Sequence, residues 1–267
     1  MTRAFSLLPE LVKVYIGKFI ILLLIPLKKH PVVHKTYKRI KHAIGWHRVI
    51  KKGDIVIQGG VDYTFPPSFV EPMSRAVGKK GLVIAIEPSM DNINIVHKKI
   101  KEKRLSKNIT LVNKALSDRK GKISMVFGKK GTWNRLDDLS DKSWKHDEEY
   151  SGYEEMVEVD TIDNIIEALK LNPQKIRFVS LTINGQEYKA LKGMKDLLSK
   201  SRNLSINVVA GRDKANPEIG IINGKADYKV ISDLLENHGF KTKYFELQKN
   251  KMGYVMGVKG NNKFFMS

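Results

Sequence analysis

The sequence contains no cysteine. That absence excludes a disulfide framework, a thiolate zinc site, an iron–sulfur cluster and a cysteine nucleophile, and it fits a reducing compartment. Acidic residues are scarce at one end, where residues 1–52 hold Glu10 alone against 12 Lys and Arg. A long hydrophobic run is missing too. The apolar stretch 19–27 would rise only about 14 Å as a helix, against a hydrocarbon core of about 30 Å. Extending it back to Leu11 places Lys18 near the middle, at about 2.5–3.5 kcal/mol on insertion scales. A spanning helix is therefore marginal. The sequence 27–30, Leu-Lys-Lys-His, offers no small-residue cleavage site for a signal peptide.

What is present is basic and mostly globular. The 267 residues carry 48 Lys and Arg against 28 Asp and Glu, a formal charge of +20, and 42% of them are apolar. That apolar share excludes a disordered polyelectrolyte. Of the charge, +11 lies in residues 1–52 and +9 in the other 215. In the basic arm, Leu8, Leu11, Val12, Tyr15, Phe19 and Leu22 fall opposite a polar stripe of Arg3, Ser6, Glu10, Lys13 and Gly17. Val33, Tyr37, Ile40 and Ile44 form a second stripe among Lys35, Lys38, Arg39 and Lys41. Two basic amphipathic helices suit an in-plane anchor on an anionic membrane through residues 1–45. Packing on the body of the protein, or on a second subunit in an oligomer, would use the same stripes. The sequence thus divides into an arm at 1–48 and a body at 49–267, in a protein expected to be cytoplasmic and peripheral at the inner membrane face.

From Gly53 onward, short apolar runs alternate with helical stretches. Strands are expected at 55–57, 82–86, 109–113, 123–127, 176–183 and 204–209, and a hairpin at 240–245 and 254–259. Helices are expected from near Pro67, and at 90–105, 161–171, 186–199 and 227–238. This alternation predicts an α/β fold with a mostly parallel, Rossmann-like sheet closed by a C-terminal antiparallel hairpin. Ligands of such sheets bind at the carboxyl ends of the strands, where strand order reverses.

Chemistry-bearing residues gather at those ends. Gly59 and Gly60 follow the first strand, and a residue without Cβ lets a ligand approach the backbone. Glu87 ends the second strand, where an acid can accept two hydrogen bonds from a ribose diol. It could equally favour the following helix N-terminus by charge alone. The turn 59–64, Gly-Gly-Val-Asp-Tyr-Thr, lacks a full Gly-x-Gly-x-x-Gly and puts Asp62 where a pyrophosphate would lie. A cationic nucleoside such as S-adenosylmethionine suits that acid better than a nicotinamide dinucleotide does.

These segments resemble the FkbM family of S-adenosylmethionine-dependent methyltransferases over roughly residues 50–260. Gln58, Gly60 and Asp62 match parts of its opening Asp-x-Gly-Ala-Asn-x-Gly or Gln-x-Gly-Ala-x-Asp-Gly pattern, with Thr64 where the last glycine is usual. Residues 81–88, ending Glu87-Pro88, resemble its second strand. The third strand and turn are matched by Asn113, Ala115, Ser117 and Asp118, and a Val-x-Thr-hydrophobic-Asp element by residues 159–163. Residues 183–193 resemble its Asp-x-Glu-Gly-x-Glu segment. The resemblance implies a class I methyltransferase sheet that binds S-adenosylmethionine with Gln58, Gly60, Asp62, Glu87, Pro88, Asn113, Ala115 and Ser117.

One segment departs from the pattern. The usual Lys-x-Asp-x-Glu-Gly is here Ser180-Leu181-Thr182-Ile183-Asn184-Gly185. Neutral groups replace two acids, so no metal site is expected there. Thr182 and Asn184 can hydrogen-bond the methionine amine or an acceptor hydroxyl, and Glu187 is the nearest acid for a general base. The leading expectation is O-methylation of a saccharide or another small hydroxylated acceptor. A catalytically degenerate fold that binds a nucleoside or a partner is the alternative, favoured by Thr64, Thr182 and Asn184. Nucleic acid is not expected as a partner, because no aromatic-rich basic strand or groove helix emerges. His146, in a polar and aromatic excursion at 128–156, is read as an exposed loop residue.

Overall fold

The computed structural model describes residues 49–61, 69–105, 107–128, 134–137, 150–213, 217–248 and 252–260. The arm at 1–48, the turn residues Asp62 and Thr64, and His146 lie outside the described residues. Among the described residues, no helix is long and apolar enough to cross a membrane.

In chain order, β1 (Ile55–Gly59), α1 (Val70–Val77), β2 (Leu82–Ile86), α2 (Met90–Glu102) and β3 (Ile109–Val112) form the first half of the fold. After β8 (Ile176–Leu181) come α4 (Glu187–Lys192), α5 (Lys195–Lys200) and β9 (Leu204–Ala210). The chain then forms α7 (Asp227–Asn237), β12 (Lys241–Gln248) and β13 (Met252–Lys259). These strands make one seven-stranded sheet in the order β12-β13-β9-β8-β1-β2-β3. β13 alone runs antiparallel to both of its neighbours. This is the mostly parallel, Rossmann-like sheet with a closing antiparallel hairpin that the sequence implies.

The central strands are rich in apolar residues because both of their faces are covered. β1 and β9 are buried along their whole length. On one face, Ile57, Ile84, Val179, Leu181, Ile206 and Val208 pack with Leu191, Leu197, Ile231 and Leu235 of the helices. On the other face, α1 contributes Val70, Met73 and Val77, and α2 contributes Val96 and Ile100. Ser89 caps α2 by accepting from the Asn92 N–H, and Thr161 likewise caps α3 (Ile162–Ala168) through the Asn164 N–H.

A second sheet, in the order β4-β7-β5-β6, is formed by β4 (Ala115–Leu116), β5 (Gly121–Gly128), β6 (Arg135–Leu136) and β7 (Tyr150–Asp160). Its own small core holds Ala115, Met125, Leu136, Val157 and Val159. The sequence reading missed β7 and placed residues 150–156 in an excursion. In the fold they are the near half of a long strand paired antiparallel with β5. Two further differences are local. The helix expected at 186–199 is broken into α4 and α5 at Gly193, where a Cβ would overlap the carbonyl oxygen of Ser117. A four-residue helix α6 (Pro217–Gly220) and the hairpin β10 (Ile221–Ile222) and β11 (Lys225–Ala226) precede α7 and were not expected.

Strand order reverses between β1, which leads to β2 and β3 on one side, and β8, which leads to β9 on the other. The crevice at the carboxyl ends of β1 and β8 is therefore where this fold places a ligand.

Candidate cofactor and acceptor site

Gly59, Gly60 and Thr182 meet at that crevice. The Thr182 N–H donates to the Gly59 carbonyl at 3.0 Å, and the Gly60 N–H donates to the Ile86 carbonyl at 2.9 Å. Gly60 has φ +81°, and a Cβ there would overlap the carbonyl oxygen of Thr182. Its missing side chain therefore lets β1 close on the chain leaving β8. We expect Gly60→Ala to destabilise the protein by about 3 kcal/mol or more, because the clash and the left-handed backbone act together. A denaturant titration measures this, and an unchanged midpoint would contradict the contact.

Gln58 is buried beneath this junction. Its Nε2 donates to the Gly59 and Gly60 carbonyls at 3.2 and 3.0 Å, which fixes the amide orientation. Its Oε1 has no hydrogen-bond partner among the described residues, and neither does the buried Oγ1 of Thr182.

Glu87 lies at the end of β2, 6% exposed. One carboxylate oxygen accepts from the Val61 N–H at 2.9 Å. The other accepts from the Ser89 N–H at 3.1 Å and the Asn92 amide at 3.2 Å. This acid thus binds the exit of β1 to the start of α2, the helix-start role that the sequence allowed beside ribose recognition. Asn113 reinforces the same corner by donating to the Glu87 and Pro88 carbonyls at 3.0 and 2.8 Å. Pro88 and Asn113 also line a cleft of about 420 Å³ with Met90, Lys122, Met156 and Glu158.

Two of the expected cofactor residues serve packing. Ala115 sits in the core of the second sheet. Ser117 is fully buried, donates its N–H to the Asp160 carbonyl at 3.0 Å, and packs on Gly193. Asp160 beside it is salt-bridged to Lys114 at 2.6 Å. Burial raises the Asp160 carboxyl, but hydrogen bonds from Lys114, Asn164 and the Thr161 N–H outweigh it and leave the group below the usual range.

The loop after β8 is held from within. Glu187 is 2% exposed, and its Oε1 accepts from the Ile183 N–H at 3.0 Å and from the Arg212 guanidinium at 3.3 Å. Its Oε2 accepts from the Gly185 N–H at 2.8 Å. Both oxygens therefore fix the chain that carries Thr182 and Asn184. Asn184 has φ +52°, a left-handed conformation that asparagine tolerates better than glutamate. Its amide donates to the Asn134 carbonyl at 2.9 Å, tying the loop to the second sheet.

Sequence reasoning did not single out Arg212, Asp227 or Tyr244. Arg212 follows β9, and its side chain is 9% exposed against Glu187. Asp227 accepts from the Gly211 and Tyr228 N–H groups at 2.7 and 2.6 Å. Burial raises the Asp227 carboxyl despite those bonds and the nearby Arg212. The Tyr244 ring stacks on Tyr228 with centroids 4.5 Å apart, and its hydroxyl occupies the space a Cβ on Gly211 would need. Burial, helped by Glu246 and Asp227, pushes that hydroxyl up to about 12. The available signal was position, since Gly211 and Arg212 directly follow an apolar strand.

A family model of the methyltransferase FkbM domain matches residues 54–242. The chain belongs to the FkbM methyltransferase family. Among solved structures, it is similar to the FkbM methyltransferase of Methylobacillus flagellatus KT, at 11% identity and TM-score 0.49, over 77% of this chain and 43% of that one. It is also similar to the fibrillarin pre-rRNA processing protein of Methanococcus jannaschii, at 12% identity and TM-score 0.46, over 84% and 75% of the two chains. Among curated proteins, trigger factor of Prochlorococcus marinus (strain MIT 9515) shares 29% identity over 147 residues, 47% of this chain. The chain spans 31% of that relative's length. The FkbM match begins at Asp54, so it takes in all of β1 and runs to the start of β12.

Proposed function

We propose that this FkbM protein is an S-adenosylmethionine-dependent O-methyltransferase acting on a saccharide or another small hydroxylated acceptor. The observation that carries the reading is the Oγ1 of Thr182, buried and without a partner among the described residues, beside Gly60 at the reversal of strand order. The residues present suit the cofactor. Gln58 Oε1 is an acceptor with no partner among the described residues, and it could take a hydrogen bond from the cofactor. Glu87 keeps the ends of β1 and β2 together, at the position where a ribose diol is read in dinucleotide-binding folds. Asp62, outside the described residues, would add a negative charge for a sulfonium ligand.

When bound, S-adenosylmethionine supplies an activated methyl group with a good leaving group, so alignment gives most of the acceleration. The chain's part is to orient. Thr182 can accept or donate to the acceptor hydroxyl, while Glu187 acts as a positioning residue because its oxygens are committed to Ile183, Gly185 and Arg212. Neutral Thr182 and Asn184 also suit the second reading, a binding module without turnover. Transfer of labelled methyl from S-adenosylmethionine to a panel of glycosides separates the two. Label in a glycoside supports the enzyme, and cofactor binding without any transfer supports the module.

The basic arm completes the proposal, holding the protein at the cytoplasmic face of an anionic membrane. The full chain is expected to co-float with vesicles containing phosphatidylserine, and a chain lacking residues 1–45 is expected to remain behind. Flotation of the shortened protein would remove the arm from the account.

A further inference from the structure

The excess charge of the body is gathered at one end of the main sheet. β1, β2, β3, β8 and β9 run parallel, so the segments leading into them share the end opposite the cofactor crevice. Hydrogen bonds draw these segments together. The Leu82 N–H donates to the Asp54 carbonyl at 3.0 Å and the Val83 N–H to the Asn108 carbonyl at 2.9 Å. The Arg177 guanidinium donates to the Asn203 carbonyl at 3.3 Å. Residues 53–54, 78–81, 103–108, 169–175 and 201–203 hold eight Lys and Arg against Asp54 alone. They therefore supply +7 of the +9 carried by residues 53–267. The segments 87–89, 113–114, 182–186 and 211–213, which leave the opposite end, hold two acids and two bases. Lysines serving solubility alone would not segregate in this way. Lys79, Lys80, Arg104, Lys107, Lys175 and Arg202 are exposed and make no ion pair among the described residues.

We propose that this rim is a second membrane contact, which seats the body on anionic phospholipid head groups and turns the crevice away from the bilayer. The proposal rests on the membrane reading of the arm and adds to it a surface of the body and an orientation. The chain enters the body at this same end, through exposed Lys51 and Lys52 just before β1. A membrane-bound arm thus brings the rim to the surface, and the second contact forms at high effective concentration. The five segments contain no aromatic residue on which a nucleic-acid base would stack. Six of their eight cations are lysines, point charges on flexible stems that suit a fluid layer of phosphates better than fixed bidentate recognition. Among the described residues, no large hydrophobic side chain is exposed on the rim. The rim therefore holds by charge and does not replace the apolar insertion of the arm. Along the six residues of β8, the crevice lies about 20 Å from the rim. It opens toward acceptors presented from the water.

The test uses the full-length protein and vesicles of phosphatidylcholine and phosphatidylserine. One charge at such a surface strengthens binding about fivefold before screening. A variant combining Lys79→Gln, Lys80→Gln, Lys107→Gln and Lys175→Gln should therefore partition about twentyfold more weakly after screening. Its thermal midpoint and S-adenosylhomocysteine binding should match wild type, since these side chains make no ion pair to lose. Orientation is read from single cysteines in a chain that has none of its own. A fluorophore on Lys80→Cys should be quenched by lipid carrying a nitroxide on its head group. One on Asp91→Cys, exposed at the start of α2 beyond the carboxyl end of β2, should not. Equal partitioning of the variant and wild type, or quenching at Asp91→Cys as strong as at Lys80→Cys, would overturn the proposal. So would a wild-type preference for single-stranded RNA over the vesicles at equal phosphate that the variant loses, because the rim would then be a nucleic-acid surface. Failure of the wild type to bind the vesicles at all would instead overturn the membrane reading on which the proposal stands.

Discussion

Glu87→Ala is expected to reduce S-adenosylhomocysteine affinity by about a hundredfold or more and to destabilise the fold by about 3 kcal/mol. Among the described residues, donors from Val61, Ser89 and Asn92 converge on this carboxylate, the first two being backbone N–H groups on either side of the β2 turn. Hydrogen bonds to a charged group contribute about 1.5–3 kcal/mol each, and a deserted buried N–H adds its own desolvation penalty. Water entering the space left by the side chain offsets part of the loss. Without the carboxylate, Val61 is no longer held to the start of α2, and the exit of β1 loses its position. Glu87→Gln retains one acceptor oxygen but turns an amide donor toward at least one of the same N–H groups, so it should recover only part of either loss. Chemical denaturation and calorimetric titration read the two quantities separately. A Glu87→Ala protein that binds as tightly as wild type would show that this corner is not part of the site.

The second large effect concerns Glu187. Its pairing with Arg212 is nearly closed to solvent, with side chains 3% and 9% exposed. Breaking such a pair from one side costs about 3–5 kcal/mol, because a charge is left buried and uncompensated. Glu187→Ala also frees the Ile183 and Gly185 N–H groups, which set the course of the loop. We expect a loss of about 4 kcal/mol in denaturation, with part of it recovered in the Glu187→Ala, Arg212→Met double variant. The same geometry predicts how turnover responds to pH. If Glu187 positions the loop, Glu187→Gln lowers the maximal rate without moving the pH profile. A profile that loses its acid limb in Glu187→Gln would make Glu187 the base and contradict the positioning role.

The parts of the fold legible in the sequence were those whose burial is uniform. The runs in β1, β2, β8 and β9 are mostly apolar because helices cover both faces of the sheet. β7 was not legible. Glu154, Glu155, Met156 and Glu158 are exposed on it, so its sequence reads as surface, and only pairing with β5 makes it a strand. The break between α4 and α5 falls at Gly193, where Ser117 approaches, and that contact joins residues far apart in the chain.

The site divides in the same way. Gln58, Gly60, Glu87 and Thr182 lie at strand ends, which can be located from the pattern, and the structure gathers them near the reversal of strand order. Glu187 carried two readings in the sequence, and only its hydrogen bonds distinguish a positioning carboxylate from a base. Arg212 was missed because its partner, Glu187, lies 25 residues away.

The central claim is that the junction of β1, β2 and β8 binds S-adenosylmethionine. Titration calorimetry of the wild-type protein with S-adenosylhomocysteine tests it most directly. The account predicts saturable binding of one molecule per chain, abolished or severely weakened in Glu87→Ala. Absence of heat at saturating ligand, confirmed by an unchanged thermal midpoint, would contradict it.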